Sequence, residues 1–212
     1  MSVSYGGVFV SLDGPGGVGK TTTAADLTHY LTARGYTVHA TTEPSHHTLG
    51  QIARQQSDSY SGYALACLVA ADRYHHLDTE IRPHLAAGHI VICDRYVASS
   101  YVLQRMDHVP LSFIESLNAA TDIPDLAIIL TGDPDINAQR LRARGTHSRF
   151  ETETSSHTEA VLYRDTLERL AARGYPLLTV NTSSMSSVQV TALIADRLAQ
   201  LASLPEPGND TA

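Results

Sequence analysis

At 212 residues the chain is long enough for one sizeable core and short for two independent ones. A formal net charge of −7 argues against the broad basic face that nucleic-acid binding requires. No apolar run has bilayer-spanning length and the N-terminus lacks the charged and apolar segments of a signal peptide, so a cytoplasmic protein with no membrane partner is expected.

Val8, Phe9, Val10 and Leu12 form a short β-rich run. It is followed by Gly14, Pro15, Gly16, Gly17, Val18, Gly19, Lys20 and Thr21, which match the Walker A spacing residue for residue. Glycines let the backbone curl so that successive N–H groups face phosphate oxygens, and the positive end of the next helix adds to the attraction. Ala24, Leu27 and Leu31 recur at helical spacing until Gly35 ends that helix. Lys20 is the only lysine, so the composition uses arginine wherever the two can be exchanged. An ammonium is a compact point charge that threads between phosphate oxygens, whereas a guanidinium is a broad fork. Lys20 is expected at the outer phosphates and the Thr21 hydroxyl on a magnesium ion.

Thr37 to Ala40 reads as a second strand, with a turn-rich stretch through Glu43, Pro44 and Ser45 beyond it. Leu65, Leu68, Val69 and Asp72 begin a long helical stretch running towards Pro83 and ending near Gly88. Ile90 to Cys93 and Leu126 to Leu130 are nearly continuous apolar runs, as in parallel strands buried on both faces. Asp133 and Pro134 supply an N-cap and a first-turn proline. Leu177 to Val180 is a fifth strand, and Val190, Leu193, Ile194 and Leu198 share one face of a last helix. Strands alternating with helices predict an α/β fold: a three-layer sandwich of the P-loop type around a central five-stranded parallel sheet, with ligands at the carboxyl ends of the strands. One domain, 1–203, is expected, with a disordered tail over 204–212. Cys67 and Cys93 lie in apolar surroundings and read as buried thiols. The histidine pairs 46/47 and 75/76 lack metal-ligand spacing and read as solvated surface.

Two charged clusters bear on chemistry. Asp94 and Arg95 fall at a strand end, where a carboxylate can orient magnesium and an arginine can clamp a second phosphate. Arg140, Arg142, Arg144 and Arg149 are four of the fourteen arginines within ten residues, around the flexible stretch Gly145 to Ser148. They predict an arginine-rich lid, about 142–156, that closes over a moving phosphoryl group and excludes water. Such arginines supply roughly 10³ to 10⁵ in rate.

These residues together resemble the thymidylate kinase family, from about Val8 to Leu201. The matching stretches are Asp13 to Thr22; Thr42, Glu43, Pro44 with Leu49 and Gly50; Ala71, Asp72, Arg73; Asp94, Arg95, Tyr96 with Ser99, Ser100 and Gln104; Pro124, Asp125; and Arg149, Phe150, Glu151. The resemblance implies an ATP-dependent nucleoside monophosphate kinase, usually a homodimer, with thymidylate the first acceptor to consider. It implies catalytic roles for Lys20, Asp94, Arg95, Arg144 and Arg149. It implies an ATP site of Gly14, Gly17, Val18, Gly19, Lys20, Thr21, Thr22, Arg140 and Arg142, with magnesium on Thr21 and Asp94. Around the acceptor it implies Asp13, Glu43, Val69, Arg73, Arg95, Ser99, Ser100, Leu103 and Gln104.

The departures fall on the acceptor side. Gly16 stands where the family often has an acid reaching the sugar 3′-hydroxyl, and Thr42 replaces a frequent arginine. Val69 stands where a phenylalanine commonly stacks on the base, and Leu103 where a tyrosine often meets the sugar. A second reading therefore keeps the chemistry but changes the acceptor to a modified nucleotide or another small phosphorylated metabolite. A third, of another class, is an ATP-binding switch; a GTPase switch would need an Asn-Lys-x-Asp motif, which a chain with one lysine at position 20 cannot contain.

Overall fold

A computed structural model of the chain describes residues 6–145 and 153–201. Five strands, β1 (Val8–Asp13), β2 (Val38–Thr42), β3 (Ile90–Asp94), β4 (Leu126–Thr131) and β5 (Leu177–Asn181), form one sheet in the order β2-β3-β1-β4-β5, and every pairing is parallel. Pleating sends alternate residues to opposite faces. Val8, Val10, Leu12, Ile90, Ile92, Leu126, Ile128 and Leu130 therefore pack with Leu27 and Leu31 of α1 (Lys20–Thr32) and Val190, Ile194 and Leu198 of α9 (Ser187–Leu198). Phe9, Val91, Cys93, Ala127 and Ile129 enter the other layer, against α3 (Gly62–His76), α5 (Val97–Met106) and α8 (Glu153–Ala172). This is the expected three-layer sandwich, and it explains why β3 and β4 are apolar throughout. Each fully buried aliphatic side chain contributes about 1.5–3 kcal/mol. Truncating fully buried Ile128 to Ala would remove about 2–5 kcal/mol once the cavity is included.

Register positions the site. Leu12 of β1 and Thr42 of β2 both lie abreast of Asp94 at the carboxyl end of β3. The segments leaving these three strands are thereby gathered at the carboxyl end of the sheet, beside the point where strand order reverses.

Helix ends follow the sequence chemistry. Asp133 caps α7 (Pro134–Arg144) by accepting the Asp135 N–H at 2.8 Å, and Pro134 fills the first turn. Ser186 and Gln189 form a capping box on α9. The long helical stretch is α3, a π-helical turn over Leu77–Ile81, and α4 (Arg82–Ala86).

The structure differs from the sequence reading in several places. β2 runs two residues further than Ala40, because Thr41 and Thr42 continue the ladder with β3. The short helices α2 (Thr48–Gln55) and α6 (Leu111–Leu117) carry no long apolar stripe and went unread. Cys93 is buried, but Cys67 lies on the outer face of α3 and is exposed; both are free thiols. The tail 204–212 and residues 146–152, which hold Arg149, lie outside the described residues. No helix among the described residues is long and apolar enough to cross a membrane.

Candidate active site

The loop between β1 and α1 closes around Lys20, whose side chain is only 6% exposed. Its ammonium donates to the carbonyls of Gly14 at 2.7 Å and Pro15 at 2.8 Å. Burial, and then the nearby Arg95 guanidinium, lower its pKa to about 7, against the opposing pull of Asp94, Glu159 and Asp13. The loop needs its glycines for space as well as for backbone freedom. Gly17 has φ +75°, and a Cβ there would stand 2.3 Å from the Asn137 carbonyl of α7. Gly19 is left-handed at φ +104° and lets the chain turn into α1.

Across the crevice, the Thr21 hydroxyl donates to Asp94 Oδ2 at 2.6 Å, while Asp94 Oδ1 is buried with no hydrogen-bond partner among the described residues. A hydroxyl and a carboxylate at this distance make a hard-oxygen donor pair of the kind magnesium takes, with the remaining positions left to water and phosphate. Arg95, the next residue, has φ +73°, which a non-glycine residue rarely adopts. Held by its N–H to the Leu12 carbonyl at 2.8 Å, it turns its side chain towards the loop.

Two cavities meet here. One, of about 380 Å³, is lined by the loop from Gly17 to Thr22 and by Arg140 and Arg144, which share one face of α7. Thr182, Met185 and Val190 close its far side. The other, of about 760 Å³, is lined by Glu43, Val69, Arg73, Asp94, Ser99, Ser100, Leu103 and Gln104 among others. Thr21, Arg95 and Arg144 border both. Arg142 falls on a different face of α7 and lines neither, because it sits two residues from both Arg140 and Arg144 on a 3.6-residue turn.

The larger cavity is organised by buried charge. Arg73, 1% exposed, donates its Nε–H to Glu43 Oε2 at 2.7 Å and a second N–H to Asn118 Oδ1, with its guanidinium 5.2 Å from the Tyr96 ring centre. Burial, the largest single effect, opposes its charge, but the Glu43 carboxylate together with Tyr96 and Asp13 outweighs burial and raises its pKa. Asp13, expected at the acceptor, lines neither cavity. It accepts the Tyr96 and Ser99 N–H groups at 2.9 Å each and the Ser99 hydroxyl at 2.7 Å, so it braces the start of α5. Burial raises its pKa above the usual carboxylate range despite these bonds. Gly14, expected in the ATP site, also lines neither cavity; a Cβ there would meet the Leu130 carbonyl at 2.4 Å, so its role is close backbone approach. Gln104 lines the larger cavity with a buried Oε1 that has no hydrogen-bond partner among the described residues.

The departures have visible consequences. Val69 and Leu103 both face the larger cavity without a ring, and the Thr42 hydroxyl is turned to the Asp94 carbonyl at 2.9 Å. The Gly16 N–H donates to Glu159 Oε2 at 2.8 Å, so an acid 143 residues away stands beside the loop position that has none.

Sequence reasoning missed Glu159, Asn118, Asn137 and Thr182, whose partners are distant in the chain. Of the two histidine pairs expected at the surface, His46 and His75 are exposed, whereas His47 is half-buried and His76 buried. His76 is fully buried between Thr41 and Glu43, and His39 and His47 donate to the two oxygens of Glu80 at 2.9 and 3.0 Å. Burial opposes the charge on Glu80, yet hydrogen bonds from Thr41 and these imidazoles hold its carboxyl down to about 2. Glu43, His76 and Cys93 bring three metal-ligand types within 4.8 Å, but Glu43 is engaged by Arg73 and burial pushes the Cys93 thiol well up, keeping it protonated.

The family model described as thymidylate kinase matches residues 12–193. The probable thymidylate kinase of Caldivirga maquilingensis is 34% identical over 196 residues, covering 90% of this chain and 94% of its own length. That of Staphylothermus marinus is 38% identical over 145 residues, 68% of this chain and 72% of its own length. The thymidylate kinase of Xanthomonas oryzae pv. oryzae is 38% identical over 156 residues, 72% of this chain and 69% of its own length.

Proposed function

The chain belongs to the thymidylate kinase family, and from that premise we propose that it transfers the γ-phosphoryl group of ATP to a nucleoside monophosphate, with thymidylate the first acceptor to test. The observation that carries this reading is the junction of two cavities at Thr21, Arg95 and Arg144, with Lys20 on the loop between them. The smaller cavity receives the donor: loop amides and Lys20 hold its phosphates, and Arg140 and Arg144 approach them from α7. The larger receives the acceptor: Arg95 holds its phosphate, while Arg73, Ser100 and Gln104 read the rest. Phosphoryl transfer through a loose transition state spreads charge over the moving group, so positioning and cation placement supply most of the catalysis. Lys20, Arg95, Arg144 and, from the lid proposed over 142–156, Arg149 are assigned that work.

The hydroxyl of Thr21 and the carboxylate of Asp94 would hold magnesium, which on binding neutralises charge on the donor phosphates. The proposed form of the protein is a cytoplasmic homodimer, each subunit a single kinase domain over 1–203.

A panel of monophosphate acceptors with coupled detection of ADP tests the reading. Turnover with thymidylate well above the ATPase background is expected; none with thymidylate or the other common monophosphates would overturn it. The absence of a ring at Val69 and Leu103 in a cavity of about 760 Å³ favours one alternative, a bulkier modified nucleotide or another phosphorylated metabolite as acceptor. An offset ring stack contributes about 0.5–1.5 kcal/mol beyond area burial, so its loss relaxes the preference for a flat unsubstituted base.

A further inference from the structure

Gly14, Gly17 and Gly19 have φ of 150°, 75° and 104°, whereas Gly16 is not in the left-handed region. A side chain is thus compatible with the backbone at position 16, and the loop nonetheless has none. What stands there is the carboxylate of Glu159, arriving from the first turns of α8. A carboxylate is rarely buried without partners that justify the loss of water, and Glu159 is 2% exposed. Its neighbours on the same helix face continue the contact: Tyr163, four residues on, lies with its hydroxyl 3.2 Å from that of Ser99, which borders the larger cavity. On the opposite side, Asn137 of α7 presses its carbonyl against Gly17. The loop is therefore held at adjacent residues, Gly16 by α8 and Gly17 by α7.

We propose that Glu159 is a positioning residue for phosphoryl transfer: by accepting the Gly16 N–H it fixes the peptide planes at the start of the phosphate loop and so aims the amides that follow at the donor. A peptide plane free to rotate presents its N–H inward or outward, and amides that must be reoriented on binding lose the benefit of preorganisation. The carboxylate does from another helix what a side chain at position 16 could do only from within the loop. Hydrogen bonds to a charged acceptor are short and about twice as strong as neutral ones, which suits a tether that must survive the arrival of a polyanion. The proposal rests on the reading of this loop as the ATP site.

The test uses the full chain with Glu159→Ala, Glu159→Gln and Glu159→Asp. Glutamine keeps an acceptor oxygen at the same reach, and aspartate keeps the charge but withdraws it by one methylene. Expected is a loss of about 10- to 100-fold in kcat/KM for ATP in E159A, with the acceptor KM within about threefold of wild type because the acceptor cavity is untouched. E159Q, with a neutral acceptor at the same reach, should recover part of the loss, and E159D should resemble E159A. If E159A does not fold, the Gln and Asp pair carries the test alone. E159D at wild-type activity, E159Q as impaired as E159D, or a loss confined to the acceptor KM would each overturn it. Binding of inorganic tripolyphosphate to the free protein, followed by calorimetry, separates this proposal from the functional reading. Binding weakened more in E159D than in E159Q supports the tether even if no acceptor turns over; equal binding in all variants refutes it even if transfer is robust.

Discussion

Lys20 is held in the folded protein with a pKa of about 7, against 10.5 for the free side chain. Bringing polyphosphate to the loop supplies negative charge beside the ammonium, so the bound state favours the protonated form. At pH 8 a group with a pKa of about 7 is mostly uncharged, so binding should draw a large fraction of a proton per site from solution, and progressively less as pH falls through 7 to 6. The sign follows from linkage: affinity is at its fullest below pH 7, where Lys20 is already charged, and declines by up to tenfold per pH unit above it. Titrating ATP into the protein in two buffers of different ionisation enthalpy measures the proton count directly. Lys20→Met should abolish the uptake while leaving the fold intact. Uptake below about 0.2 proton at pH 8, or uptake unchanged in K20M, would refute both the placement of Lys20 at the phosphates and the account of its burial.

Lys20→Arg should reduce transfer nearly as far as K20M, because the pocket formed by the Gly14 and Pro15 carbonyls admits a point charge and not a fork; activity within about threefold of wild type in a coupled assay would contradict this. Arg73→Leu strips buried Glu43 and Asn118 of their shared partner and should destabilise the protein by about 3–5 kcal/mol in urea unfolding, beyond any effect on the acceptor. Glu80, with its carboxyl held down to about 2 from 4.5, contributes stability that is complete above pH 4.5 and lost as pH falls towards 2. Glu80→Gln should therefore lower stability by about 1–2 kcal/mol at pH 7 and by clearly less at pH 3, with equal differences at both values counting against the cluster.

Much of the proposed donor half is legible in local sequence. The run from Gly14 to Thr21 states its conformation locally, since glycine spacing, the flanking apolar strand and the helix start are all short-range properties, and Asp94–Arg95 announces itself by ending a strand of unbroken apolar residues. Arg142 lines neither cavity because an arginine cluster in sequence is spread around a helix in space, so that of its three described members Arg140 and Arg144 reach the smaller cavity. Asp13 lines neither cavity because an acid beside a phosphate loop can equally well bond the adjacent helix, and the register of β1 with β3 decides which. His47 and His76 read as surface from the sequence because their partners, Glu80 and Thr41, lie 33 and 35 residues away in the chain.

The sequence by itself thus determined the phosphate-type loop and the placement of its lysine, because backbone curvature and a lone ammonium are encoded in eight consecutive residues. Tertiary structure alone decided how that loop is held and what faces it. The juxtaposition of Thr21 with Asp94, of Arg73 with Glu43 and Asn118, and of Gly16 with Glu159 depends on strand order and helix docking, and no local pattern records a contact made 143 residues away.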